Sequence, residues 1–343
     1  MTLKFNNVYI NETSLVVGPF VKDGPLKNFD KVYNDFYNGE KTFEECEIKA
    51  LNDCLKILLE KINKNEKQID VVFSSDLSNQ LSISNIVLSK YNIPYFGVYN
   101  ACSSLTEMII LSSSMIESKK INNSILLTSS HNLTAERQYR NPVEYGAPKP
   151  KYSTFTVTSS TGCYISNTKS KIKIDTCTIG KVIDSTIKDV SNMGAVMAIA
   201  AANTLFQHLN EIKKDSNYYD LILTGDLGKY GKKIFVDTLK ELYNIELKNY
   251  DDTACMIYDN NDKNTLAGGS GISCMPTVLY SKIIPEMKNE KIKNVLLLAT
   301  GALMNPTTVN LKKSIPSISH AVSLKVIRWY ILKPSYLLVL YVH

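Results

Sequence analysis

Asp70-Val71-Val72-Phe73-Ser74-Ser75-Asp76-Leu77 opens on a carboxylate, runs through three large apolar residues and ends in a polar corner. An unbroken β-branched and aromatic run of this length reads as a strand buried on both faces. The stretch returns as Asp220-Leu221-Ile222-Leu223-Thr224-Gly225-Asp226-Leu227, at an offset of 220 − 70 = 150. A second segment, Lys120-Ile121-Asn122-Asn123-Ser124-Ile125-Leu126-Leu127, returns as Lys291-Ile292-Lys293-Asn294-Val295-Leu296-Leu297-Leu298, at 291 − 120 = 171. The growth in offset requires an insertion in the second half, and residues 251–269 supply it. There Ala254-Cys255-Met256-Ile257-Tyr258, a turn at Asn260-Asn261-Asp262, and Thr265-Leu266-Ala267 read as a hairpin.

Helical spacing separates the strand-like runs. Residues 42–61 carry Ile48, Leu51, Leu55 and Leu58 on one face, and a further helix is expected over 82–90. Strands alternating with helices predict an α/β fold with parallel pairing. The repeat predicts two pseudo-symmetric halves, residues 1–169 and 170–325.

Between the repeated segments lies Tyr95-Phe96-Gly97-Val98-Tyr99-Asn100-Ala101-Cys102-Ser103-Ser104, followed by apolar residues at Leu105, Met108, Ile109 and Met115. The period changes from strand to helix at Cys102, so a corner is expected there, with Ser103 and Ser104 capping the helix. A thiol at a helix N-terminus is favoured as thiolate. The free N–H groups of such a corner also receive a carboxylate. The plain alternative is a small buried cysteine in a tight turn. Gly271-Ile272-Ser273-Cys274 falls opposite this corner in the second half. Two halves packed about a pseudo-twofold bring both corners to one central cleft, which is where the chain is expected to work.

Composition narrows the functional classes. Basic side chains number 39 against 33 acidic, a formal +6 with the lysines dispersed and no interleaving of arginine with aromatics, which does not support specific nucleic-acid binding. An anionic ligand or membrane surface is compatible with that charge. Seven cysteines, an odd count without CxxC spacing, and only four histidines argue against a zinc site and for a reducing compartment. The Asn260–Asp262 turn lacks the glycine and distal glutamate of a calcium loop. No signal peptide is visible at the N-terminus. Residues 326–343 hold the only Trp and are strongly apolar, but Arg328, Lys333 and Pro334 interrupt them short of a membrane span. They read as an atypical tail foreign to the fold, as a frameshifted or read-through end would be.

The repeat, the cysteine corner and Gly268-Gly269-Ser270-Gly271 resemble the thiolase and ketoacyl-synthase superfamily. The resemblance is closest to the stage V sporulation protein AD family of spore-forming bacteria. It is carried by Gly97-Val98-Tyr99-Asn100-Ala101-Cys102-Ser103, Thr128-Ser129-Ser130-His131-Asn132-Leu133-Thr134-Ala135-Glu136-Arg137-Gln138, Asn192-Met193-Gly194-Ala195, Thr224-Gly225-Asp226-Leu227-Gly228 and Ile315-Pro316-Ser317-Ile318-Ser319-His320-Ala321-Val322, in that order. It implies a five-layered α-β-α-β-α fold. It also implies a protein that binds dipicolinic acid (pyridine-2,6-dicarboxylate), with calcium carried on the ligand, and loads it into the developing spore. The partners implied are the other subunits of a spore inner-membrane channel, to which this chain attaches peripherally, and a second copy of itself through edge strands of the first halves. No resident cofactor or metal is expected.

The enzymes of the superfamily pair the cysteine with a histidine after the strand matching Leu221-Ile222-Leu223-Thr224, and add a His or Asn in the Gly-rich loop. Here those places hold Gly225-Asp226-Leu227 and Gly269-Ser270-Gly271. A carboxylate opposes both a thiolate and an enolate. His131 and His320 are the histidines that could reach the cleft instead, or serve as structural hydrogen-bonding groups. For a dicarboxylate, Arg137 and Arg140 offer planar fork donors and Lys149 and Lys181 offer point charges. Solvated surface is the plain reading of these four. Cys102 and Ser103 at the corner, with His131, Asn132, Asp226, Ser270 and His320, complete the expected ligand-binding set. A cysteine-dependent acyltransferase or condensing enzyme, with Cys102 as nucleophile, and a non-binding assembly scaffold are the alternatives.

Overall fold

A computed structural model of the chain describes residues 1–139, 149–259 and 264–327. In the first half, strand Val72–Asp76 lies between Tyr95–Gly97 and Asn123–Ser130 and runs parallel to both. Asn123–Ser130 pairs antiparallel with Ser159–Ser166, which pairs antiparallel with Tyr9–Val17. In the second half, Leu221–Thr224 lies parallel between Tyr250–Asp252 and Asn294–Ala302. Asn294–Ala302 pairs antiparallel with Pro316–Val326, and that strand with Ile172–Thr178. The two five-strand orders are the same.

The register repeats as well. Val72 faces Ile125, and Ile222 faces Leu296. These pairs are related by 222 − 72 = 150 and 296 − 125 = 171, the two offsets read from the sequence. At the junction, Tyr9 and Ile10 pair with Lys173 and Ile172, so both halves belong to one hydrogen-bonded path.

Five layers result. Helix Ser104–Glu117 packs against strands of both halves, and the helical run 274–288 lies beside it in the same core. Helix Phe43–Lys61 covers the outer face of the first half. It starts on a capping box, Thr42 with Glu45, and buries Leu51, Leu55 and Leu58. Complete burial of each leucine contributes about 1.5–3 kcal/mol. Helices Met193–Ile212 and Gly228–Tyr243 cover the second half. They approach at two glycines, where a Cβ on Gly231 would come within 2.7 Å of the Gly194 backbone.

The expected hairpin over 251–269 is corrected. Edge strand Tyr250–Asp252 runs directly into a short helix, Thr253–Ile257. The side chain of Asp252 accepts hydrogen bonds from the N–H groups of Leu227, Gly228 and Ala254 and from the Thr224 hydroxyl, so the chain turns at that carboxylate and does not extend. Residues 260–263, including the expected turn, lie outside the described residues. Val326, the first residue of the expected tail, ends a strand and pairs with Ile172. Residues 328–343 lie outside the described residues. Among those described, no helix is long and apolar enough to cross a membrane.

Candidate functional site

The first-half corner is tighter than a plain helix start. Ala101 adopts φ +48°, a left-handed conformation unusual for a residue with a Cβ. The expected serine caps are corrected: Ser103 precedes the helix without capping it. Its hydroxyl donates back to the Asn100 carbonyl at 2.6 Å, and the Ser104 hydroxyl donates to the Ala101 carbonyl at 2.8 Å. The N–H groups of Ser103 and Ser104 are spent on the same two carbonyls, at 3.2 Å each. The Ser103 N–H is therefore not held open for a carboxylate.

Asp226 meets this corner from the second half. It too is left-handed, at φ +66°, and it is buried. One carboxyl oxygen accepts the Gly271 N–H at 2.8 Å. The thiols of Cys102 and Cys274 lie near enough to this carboxyl to favour its charged form. Burial pushes its pKa up to about 7, with the nearby Asp252 charge adding to the rise, against the lowering effect of those three groups. A cavity of about 50 Å³ opens here, walled by Cys102, Asp226, Ser270, Gly271 and Glu136, with Tyr99 and three methionines, Met193, Met197 and Met304. Ser270 is only 2% exposed, and its hydroxyl oxygen has no hydrogen-bond partner. The Glu136 carboxylate is buried and takes the Lys149 ammonium at 2.9 Å.

Residues 1–325 match the protein family described as stage V sporulation protein AD. The chain is 39% identical over 317 residues to stage V sporulation protein AD of Bacillus subtilis (strain 168), covering 92% of this chain and 93% of that protein. The chain belongs to the stage V sporulation protein AD family. Among solved structures, cerulenin-bound OleA of Xanthomonas campestris superposes with a TM-score of 0.62 at 12% identity, covering 95% of this chain and all of that one. The 3-oxoacyl-[acyl-carrier-protein] synthase III of Aquifex aeolicus gives 0.56 at 11% identity, covering 93% and 99%. At these identities the likeness establishes the thiolase-like fold and no activity.

In this member of the stage V sporulation protein AD family, Cys102, Asp226 and Ser270 share one cavity. Ser103 and His320 are not among its lining residues. His320 lies 3.0 Å from the Asn100 side-chain amide and accepts the Gly180 N–H at 3.1 Å. His131 is not among the lining residues either. Its Nδ1 accepts the Leu133 N–H, its Nε2 bonds the Phe36 carbonyl at 2.9 Å, and its ring stacks on Phe43. Burial lowers both imidazoles to about 4, so both are neutral at physiological pH. Asn132 holds the backbone of Thr156 and the hydroxyl of Thr158. Arg137 pairs with Glu44 and lies over the Phe43 ring. Lys181 is exposed, and Arg140 lies outside the described residues.

Glu136 and the three methionines were not expected in the wall. Met193 and Glu136 stand in stretches that carry the family resemblance, but a methionine or a glutamate on a helix has no local signal that distinguishes a cavity wall from core or surface. Chemically, the described lining contains two carboxyls, a thiol and an orphaned hydroxyl, without Lys, Arg or His. It lacks the imidazole that would withdraw a proton from Cys102.

Proposed function

We propose that this protein binds dipicolinic acid as its calcium chelate in the cavity between the halves, and presents it as a peripheral subunit of a spore inner-membrane channel. Membership of the sporulation family supports the spore role. The observation that carries the choice of chelate is Asp226, buried in a lining without a cationic side chain among the described residues, where the other carboxyl, Glu136, is already paired with Lys149. A free dianion entering there above about pH 7 meets the ionised Asp226 in a medium of low dielectric. A calcium chelate is neutral, and calcium accepts six to eight oxygen ligands, so it retains positions for protein carboxylates. The unpartnered Ser270 hydroxyl offers a further polar contact. The empty space has room for a few waters only, so the ring displaces the flexible side chains of Met193, Met197 and Met304 as it binds.

Titration calorimetry with calcium and dipicolinate together, dipicolinate alone and calcium alone tests this. Binding is expected with the first and at least tenfold weaker with the second. Equal affinity for both would return the reading to a free acid, held at the rim by Lys149. No heat with either would leave the assembly scaffold. The condensing-enzyme reading requires a covalent adduct on Cys102. Intact mass unchanged after incubation with acyl-CoA is the expected result.

The homodimer is part of the proposal. The sheet path ends on Tyr95–Gly97, whose outer edge carries no strand among the described residues. Phe96 on that strand is 52% exposed and Tyr99 beyond it 47%. An open, aromatic strand edge is an aggregation hazard unless paired, and a second copy of the same edge pairs it antiparallel.

A further inference from the structure

His320 is buried, and its ring makes one bond on each side. The Gly180 N–H donates to Nδ1 at 3.1 Å, which places a lone pair on Nδ1. A neutral imidazole then carries its proton on Nε2. Nε2 lies 3.0 Å from Nδ2 of Asn100. Two N–H groups cannot bond each other, so the Asn100 amide is assigned with its oxygen toward His320, the two ends of an amide being distinguished by their partners. The contacts of His320 thus run from the Gly180 N–H of the second half to Asn100 at the corner of the first.

Asn100 is the hinge pin of the corner. Its carbonyl takes both the N–H and the hydroxyl of Ser103, and its N–H donates to the Ser104 hydroxyl at 2.8 Å. Cys102 stands two residues on, across the left-handed Ala101. Fixing the Asn100 side chain therefore fixes where the Cys102 thiol points. We propose that His320 is a positioning residue that acts through Asn100 to hold the Cys102 corner against Asp226. For ligand binding this rests on the cavity being the ligand site. The test below uses no ligand, so the two readings fail separately.

Nitrogen-15 NMR of the full-length protein reads the tautomer of His320, assigned by loss of its signals in His320→Gln. The Nε2–H form is expected at neutral pH, and the Nδ1–H form would overturn the proposal. Alkylation by iodoacetamide reads the corner. Cys102 and Cys255 are the partly exposed thiols, and the other five are buried. His320→Leu is expected to speed labelling of Cys102 at least tenfold and to leave Cys255 unchanged. His320→Gln, which both donates and accepts, restores part of the protection. Asn100→Ala removes the acceptor of the Nε2–H and is expected to release Cys102 as His320→Leu does. Equal Cys102 labelling in wild type, His320→Leu and Asn100→Ala would sink the idea. Should the leucine variant fail to fold, the wild-type tautomer and Asn100→Ala decide.

Discussion

Asp70 and Asp220 make the same pair of bonds in the two halves. One oxygen of Asp70 accepts the N–H groups of Asn122 and Asn123, and one oxygen of Asp220 accepts those of Lys293 and Asn294. Each carboxylate ties the start of one parallel strand to the start of its neighbour. Asp70→Ala and Asp220→Ala are expected to destabilise by similar amounts, about 1 kcal/mol each. Urea denaturation of the two variants measures this. A large cost for one and none for the other would show that the copies have diverged in what holds them.

Asp226 carries the pH dependence of the cavity. Its folded pKa of about 7 stands above the usual carboxyl value of 3.8. Between those values the folded state binds more protons than the unfolded, so this group subtracts stability as pH rises through the window and no more beyond it. Asp226→Asn removes that penalty. Its melting temperature is expected to exceed that of wild type by at least about 2 °C at pH 8, with the gap closing toward pH 4. Ligand binding moves the opposite way: the substitution weakens the calcium chelate, and wild-type affinity falls as pH drops below 7. A variant that is no more stable yet binds normally would remove Asp226 from the site.

The open strand edge predicts self-association. Phe96 stacks on Phe73 at 5.4 Å and still shows half its surface. Phe96→Asp places a charge in the proposed pairing and is expected to give monomers in sedimentation velocity where wild type gives dimers. A wild-type monomer at micromolar concentration would dispose of the pairing.

Close approach at Gly301 predicts a steric cost. A Cβ there would lie 2.6 Å from the Asn100 carbonyl and 3.0 Å from the Ser103 hydroxyl. Gly301→Ala is expected to cost about 1–3 kcal/mol, as overpacking does. Because the strain falls on the corner, faster alkylation of Cys102 should accompany it. Loss of stability with unchanged labelling would mean that the strand yields and the corner does not.

Much of the architecture was legible because it is written twice. The run Asp70–Leu77 and its copy gave the strands, and two offsets gave the register that the pairs Val72–Ile125 and Ile222–Leu296 display. The helix from Phe43 was legible in the spacing of Ile48, Leu51, Leu55 and Leu58, while its capping box of Thr42 and Glu45 emerged only with the fold. The short helix Thr253–Ile257 was not, because a five-residue apolar run fits either period and Asp252 decides it through contacts distant in sequence. At the site, Cys102, Asp226 and Ser270 converged as the duplication required. Arg137 did not join them: its partner Glu44 sits on a helix more than 90 residues earlier, and no local pattern announces such a pair. The methionine wall escaped notice because unbranched apolar residues look alike in core and cavity.

The ladder that joins Tyr9 and Ile10 to Lys173 and Ile172, together with the helix Ser104–Glu117 that both sheets share, leaves the molecule without a jaw. Neither lobe can swing open over a guest, since swinging would tear a common interior. Whatever passes into the middle must therefore slip between side chains, and calorimetry should record the melting of both lobes as one event, not two.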